Sequence, residues 1–241
     1  MIFLDCVCVA KMRESDRKTI ENRVPSLTLM YRAAMGVYRA APWRGDIAIA
    51  VGSGNNGGDG FALAYILKSN GIDCRVITLS DKLSTDSVHF AEKAKALDVP
   101  VASYSDGAFS GCAIIVDCLL GTGFHGAVRE PYASAIREIN AAGAYVVSVD
   151  INSGMNGDTG EAELAVRADL TVTIGFVKNG MLAANVGDYI KRLVVTDIGI
   201  VLDREENKIA AEWREEYAAR GNIFRCPPYL DTHIIDMRDV E

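Results

Sequence analysis

Four stretches of this chain place carboxylates, amides, a hydroxyl and a lysine beside glycine. The first reads Val51-Gly52-Ser53-Gly54-Asn55-Asn56-Gly57-Gly58-Asp59-Gly60. Its Gly52, Gly54 and Gly57 make a G-x-G-x-x-G spacing, which lets backbone N–H groups approach a phosphate at a helix N-terminus. The second, Val116-Asp117-Cys118-Leu119-Leu120-Gly121-Thr122-Gly123-Phe124, ends an apolar run in a carboxylate and a glycine turn. In the third, Val149-Asp150-Ile151-Asn152-Ser153-Gly154, a carboxylate is followed three residues later by a serine. A fourth run, 171–178, ends in Lys178. Carboxylates in such turns can move protons, although a single one is more often a cap or turn residue. A dinucleotide-dependent dehydrogenase would also need an acid closing its second strand. Here Asp73 precedes that strand and Asp81 lies beyond it, which disfavours that chemistry.

The elements that must position these residues follow from periodicity. Residues 12–41 read as helix, interrupted at Pro25. Short apolar strands are expected at 47–51, 74–79, 113–118, 144–149, 170–176 and 193–198. Helices are expected at 59–70 (stopped by Gly71), 84–97 and 131–142. Near-continuous apolar strands alternating with helices point to a mostly parallel sheet covered on both faces. One domain results, with N-terminal helices over 1–45, an α/β core over 46–200 and a charged, helix-prone extension over 201–241. In a parallel sheet the strands' C-terminal ends share one edge. Asn56, Asp117, Asp150, Ser153 and Lys178 should therefore converge on one crevice.

Composition narrows the classes. The 241 residues carry 25 Lys+Arg against 32 Asp+Glu, a formal charge of −7 that opposes nucleic-acid binding by bulk electrostatics. No run is apolar and long enough to suggest a membrane helix. The start lacks a basic region before its short apolar stretch and carries Asp5, so a signal peptide is not expected. Six cysteines without paired ligand spacing read as free thiols in a cytoplasmic protein. His89, His125 and His233 are scattered, and Trp43 and Trp213 read as packing residues.

Taken together, G-S-G-N-N-G-G-D-G, D-C-L-L-G-T-G-F, V-D-I-N-S-G-M-N-G-D-T-G and A-D-L-T-V-T-I-G-F-V-K-N-G resemble the NAD(P)H-hydrate epimerase family, the YjeF N-terminal domain. The resemblance runs from about residue 12 to 200 in the family's order. It implies a Rossmann-like three-layer αβα sandwich with a mostly parallel central sheet. It also implies interconversion of the R and S forms of hydrated NADH and NADPH (NADHX and NADPHX). A homodimer, a bound potassium ion (K+) and a separate NAD(P)H-hydrate dehydratase as functional partner belong to the same expectation. Residue by residue, it implies substrate contacts from Asn55, Asn56, Gly57, Gly58 and Asp59. A second set comprises Gly121, Thr122, Gly123, Phe124, His125, Gly126 and Ala127, with Tyr132 also lining the site. Asp150 stands at the catalytic carboxylate, and Asn56, Asp117 and Ser153 at the potassium ligands. These three offer oxygen donors suited to a hard cation.

Some positions depart from the family pattern. Tyr31 replaces a familiar carboxylate, Asn152 a proline that stiffens the turn, and Asn179 a proline after the lysine. A looser turn after Asp150 is the expectation. The rival reading is a non-catalytic dimeric scaffold of the mRNA-decapping-enhancer type, which could dispense with Asp150.

Overall fold

Residues 6–202 and 230–237 are described by the computed structural model of the protein. A proline lacks an N–H and has a fixed φ, so Pro25 divides the first helical stretch. After a short strand β1 (Cys6–Val7) come α1 (Val9–Asn22) and α2 (Ser26–Ala40). The alternating core then runs β2 (Ile47–Val51), α3 (Asn55–Ser69), β3 (Arg75–Thr78), α4 (Thr85–Ala96), β4 (Val101–Ser103) and β5 (Ile114–Cys118). It continues through α5 (Tyr132–Ala141), β6 (Tyr145–Val149), β7 (Leu170–Ile174), β8 (Val177–Lys178), β9 (Leu193–Asp197) and β10 (Leu230–Asp236). Single 3₁₀ turns occupy Asn179–Leu182 and Val186–Asp188.

Most of the expected elements fall within two residues of their bounds; α1 begins three residues early, the short strands β1, β4 and β8 are not among those expected, and two further differences are informative. Helix α3 begins at Asn55, four residues before the 59–70 that the sequence suggests. The polar, glycine-rich segment is itself the first helical turn, where low helix propensity hides it. Strand β10 lies within the extension yet pairs in parallel with β9. The helix-prone stretch 203–221, Trp213 and Cys226 lie outside the described residues.

Sheet order is β10-β9-β7-β6-β5-β2-β3-β4, and every pairing is parallel. Counting from β2, the chain builds outward to β4 and then returns to β5 on the other side. That reversal is the switch point of a doubly wound sheet, where ligands bind. A separate two-strand pair joins β1 to β8, aligning Val7 with Lys178.

Successive strand residues face opposite sides. Ile47, Ile49 and Val51 pack with residues of α2, α3 and α4, whereas Ala48 and Ala50 join Phe109 and the Ala135, Ile136 and Ile139 of α5. Burying each of these isoleucines stabilises the fold by roughly 1.5–3 kcal/mol. A third cluster, including Ile151, Met155, Val177, Met181 and Leu193, supports the loops after β6 and β7. Cys74, Cys112 and Cys118 are buried free thiols, and burial pushes all three up from the usual thiol range. Among the described residues no helix is long and apolar enough to cross a membrane.

Helix α2 reaches the sheet because position 36 has no side chain. A Cβ on Gly36 would stand 2.7 Å from Cγ2 and 2.8 Å from Cβ of Thr196 on β9. Gly36→Ala is therefore expected to lower stability by about 1–3 kcal/mol through overpacking, against alanine's better helix propensity. Urea unfolding measures this, and adding Thr196→Ala should recover part of the loss. Unchanged stability in the single variant would contradict such close packing.

Candidate functional site

At the switch point the turn after β2, the turn after β5 and the residue after β6 enclose a cleft of about 630 Å³. Helices α1 and α2 supply a further wall through Met12, Arg13, Asp16, Leu29, Met30 and Ala33. The first turn of α3 opens here. Its N-cap Gly54 has no side-chain cap, so the leading backbone N–H groups are available to an anion. Gly57 serves a second purpose, since a Cβ there would run into the Gly52 carbonyl oxygen. The glycine spacing thus serves close packing as well as ligand approach.

Asp150 occupies the left-handed region at φ 67°, which is uncommon for a residue with a side chain. Its N–H donates to the Val172 carbonyl at 2.8 Å, tying the bend to β7. Behind it lies Lys178, whose side chain has 0% exposure. The Lys178 ammonium donates to Asp150 Oδ1, to Thr173 Oγ1 at 3.0 Å and to the Ile174 carbonyl at 3.0 Å. Three acceptors satisfy its three protons. The other Asp150 oxygen, Oδ2, lies 3.8 Å from where a Gly121 Cβ would be, and Asn56 Cβ is 3.2 Å from that same point. Asp150 and Asn56 thus flank the Gly121 turn. Lys178 lies beneath the cleft, correcting the expectation that it would line the crevice.

Asp117 and Ser153 are also fully buried and make no part of the cleft wall. Asp117 accepts from the Ser153 hydroxyl, Ser153 N–H (2.9 Å), Ser148 Oγ (2.8 Å) and Leu119 N–H (3.2 Å). Burial pushes its carboxyl above the usual range, opposed by these hydrogen bonds. Among the described residues no cationic side chain pairs with Asp117. Asn56, 8% exposed, has neither its amide nitrogen nor its amide oxygen hydrogen-bonded. An orphaned amide oxygen and a buried carboxylate without a cationic partner are donors of the kind a hard cation takes. Among the described residues no group of three His, Cys, Asp or Glu side chains is arranged for a metal.

The turn after Asp150 is held rather than loosened, contrary to expectation. Asn152 is fully buried, donates to the Val166 and Tyr189 carbonyls at 2.9 and 2.8 Å, and accepts from Thr171 Oγ1 at 2.7 Å. Tyr31 packs partly buried against the core and is not in the cleft wall.

The expected substrate residues divide into three groups. Asn55, Asn56, Asp59, Gly121, Thr122, Gly123, Phe124 and Asp150 line the main cleft. His125, Gly126, Ala127 and Tyr132 line an adjoining pocket of about 300 Å³, which shares Leu120 and Phe124 with the cleft. Gly57 and Gly58 are buried within the first turn of α3 and line neither one. Arg13 and Asp16 enter the site unforeseen, since nothing in their spacing links them to a loop over a hundred residues away. Asp59 and Asp16 both have carboxyls pushed up, chiefly by burial and then by the negative charge of Asp150; Lys178 counteracts the rise.

A parallel doubly wound sheet with an uncapped, glycine-rich helix N-terminus and a carboxylate at its switch-point edge defines an α/β protein whose cleft lies at the C-terminal ends of the strands. The family profile described as YjeF-related protein N-terminus matches residues 26–180. A Limosilactobacillus fermentum protein named NAD(P)H-hydrate epimerase is 36% identical over 79% of this chain and 95% of its own length. The Coxiella burnetii bifunctional NAD(P)H-hydrate repair enzyme Nnr is 34% identical over 79% of this chain, which spans only 40% of that protein. The crystal structure of yeast ynu0 superposes with a TM-score of 0.66 at 24% identity, over 73% of this chain and 83% of the yeast one. The chain belongs to the YjeF N-terminal family.

Two outcomes follow from these contacts. Asn152→Ala, and equally Asn152→Pro, removes three buried hydrogen bonds, so a loss of about 2–4 kcal/mol is expected by urea unfolding. A loss below about 1 kcal/mol would show the network to be dispensable. For Asp59, the raised folded pKa contributes stability below the unfolded carboxylate range and loses it as pH rises through the folded value. Asp59→Asn is therefore expected to be more stable than the parent at neutral pH, with the gap closing below about pH 4. A pH-independent gap in melting temperature would contradict the shift.

Proposed function

We propose that this protein is an NAD(P)H-hydrate epimerase, interconverting the R and S forms of NADHX and NADPHX. The observation that carries the reading is the Asp150 carboxylate. It stands at the switch-point edge with one oxygen clamped by Lys178 and the other toward the cleft. Its substrate bears a hydroxyl on the carbon beside the nicotinamide ring nitrogen. Asp150 accepts the hydroxyl proton as the carbon–nitrogen bond breaks, leaving a carbonyl on that carbon. The bond's electron pair goes to nitrogen, which takes up the proton. Nitrogen then re-adds to the opposite carbonyl face and the proton returns to oxygen through Asp150, so the sum of atoms and charge is unchanged. Lys178 positions the carboxylate, and the first turn of α3 offers N–H groups to the substrate's phosphates.

Asn56, Asp117 and Ser153 would hold a potassium ion. When bound, that ion supplies positive charge beside the buried carboxylate and orders the two turns. The same reading has the protein acting as a cytoplasmic homodimer, with a separate dehydratase consuming the S form.

Incubating the protein with the isolated R epimer of NADHX, with and without potassium, tests this by chromatographic separation of the epimers. Equilibration faster with potassium is expected. Asp150→Asn should reduce the rate by about 10²–10⁴-fold with its circular dichroism intact. Full activity in Asp150→Asn would remove the proposed acid–base role, and an inactive parent protein would favour the scaffold reading.

A further inference from the structure

The proposed substrate is an anion, yet the cleft wall is acidic. Asp16, Asp59, Asp86 and Asp150 line it, and among the described residues Arg13 is its single cationic side chain. We propose that Arg13, on α1, is the residue that binds a phosphate group of the dinucleotide and so sets its orientation in the cleft. This rests on the epimerase reading only for the identity of the substrate.

Geometry supports the assignment. Arg13 Nη2 donates to the Thr122 carbonyl at 2.9 Å, and Nη2 lies 3.7 Å from where a Gly123 Cβ would be. The guanidinium is thereby fixed over the glycine turn that separates Asp150 from the adjoining pocket. That bond uses one of five N–H groups, leaving a planar fork suited to phosphate oxygens. Arg13 is exposed and has no carboxylate partner among the described residues, so its charge is available to a ligand. Asp16 lies one turn further along α1 and lines the same wall. Its carboxyl and that of Asp59 are pushed up from the usual carboxylate range, chiefly by burial. The open N-terminus of α3 and Arg13 then provide two separate anion-binding elements on one cleft.

The phosphate could be one of the bridging diphosphate or the ribose phosphate of NADPHX, and comparing the two substrates separates these. Steady-state epimerisation of NADHX and NADPHX by the parent, Arg13→Gln and Arg13→Lys is measured at low and high KCl. Calorimetric binding of NADH and NADPH is measured alongside. Loss of the guanidinium in Arg13→Gln should raise KM, and weaken binding of whichever dinucleotide carries the contacted phosphate, by about tenfold to a hundredfold. kcat should change far less than KM, the salt dependence of KM should flatten, and Arg13→Lys should recover part of the affinity. A rise in KM confined to NADPHX assigns the ribose phosphate; a rise with both assigns the diphosphate. Unchanged KM, affinity and salt dependence would overturn the proposal. So would a fall in kcat alone, which would reduce Arg13 to a support for Thr122. If the parent binds NADH through Arg13 but does not epimerise, the proposed reaction fails while the binding role of Arg13 stands.

Discussion

A lysine ammonium with no solvent exposure is tolerated only where acceptors, including a negative charge, take up its protons. The Lys178–Asp150 pair imposes that condition on much of the site. Lys178 must arrive from β8, which needs the bend at Gly175 and Phe176 after β7 and the pairing with β1. Asp150 must leave β6 in a left-handed conformation to meet it. Removing either partner would leave the other's charge without compensation, so the pair couples the chemistry at the sheet edge to the packing beneath it.

A second buried layer lies beside the pair. Asp117 draws Ser148 and Ser153 together, tying the turn after β5 to the turn after β6. Ser153 Oγ also accepts from the Leu120 N–H at 2.8 Å, which fixes the start of the glycine turn. Asn152 then secures the opposite side of the same loop to β7 and to the segment before β9. Almost every polar atom here is satisfied internally, which throws the unpaired Asn56 amide into relief. Rigid surroundings with one unsatisfied group are what a preorganised ligand site requires.

Much of this was legible in the chain. Apolar strands ending in Asp117 and Asp150 announced both the parallel sheet and its ligand edge, because a doubly covered strand must be apolar until it emerges. The first turn of α3 was not legible as helix, since glycine and asparagine favour turns locally and only the packing of Gly57 on Gly52 decides the matter. Asn152 looked like the loss of a stiffening proline, because three tertiary hydrogen bonds leave no trace in sequence order. Arg13 was hidden for a related reason: its partner Thr122 lies on a different element, and helix periodicity says nothing about which loop a helix will cover.

Strand β10 adds a consequence for how the chain is made. Strand β9, Leu-Val-Val-Thr-Asp, has β7 on one side and β10 on the other, and β10 is supplied by residues 230–236. During vectorial synthesis the preceding strands can assemble while that second side of β9 still presents unpaired backbone groups. The growing chain therefore passes through a stage in which an apolar sheet margin is open to neighbouring nascent chains. Residues far from the cleft thus close a sheet margin that is open until the last part of the chain is made.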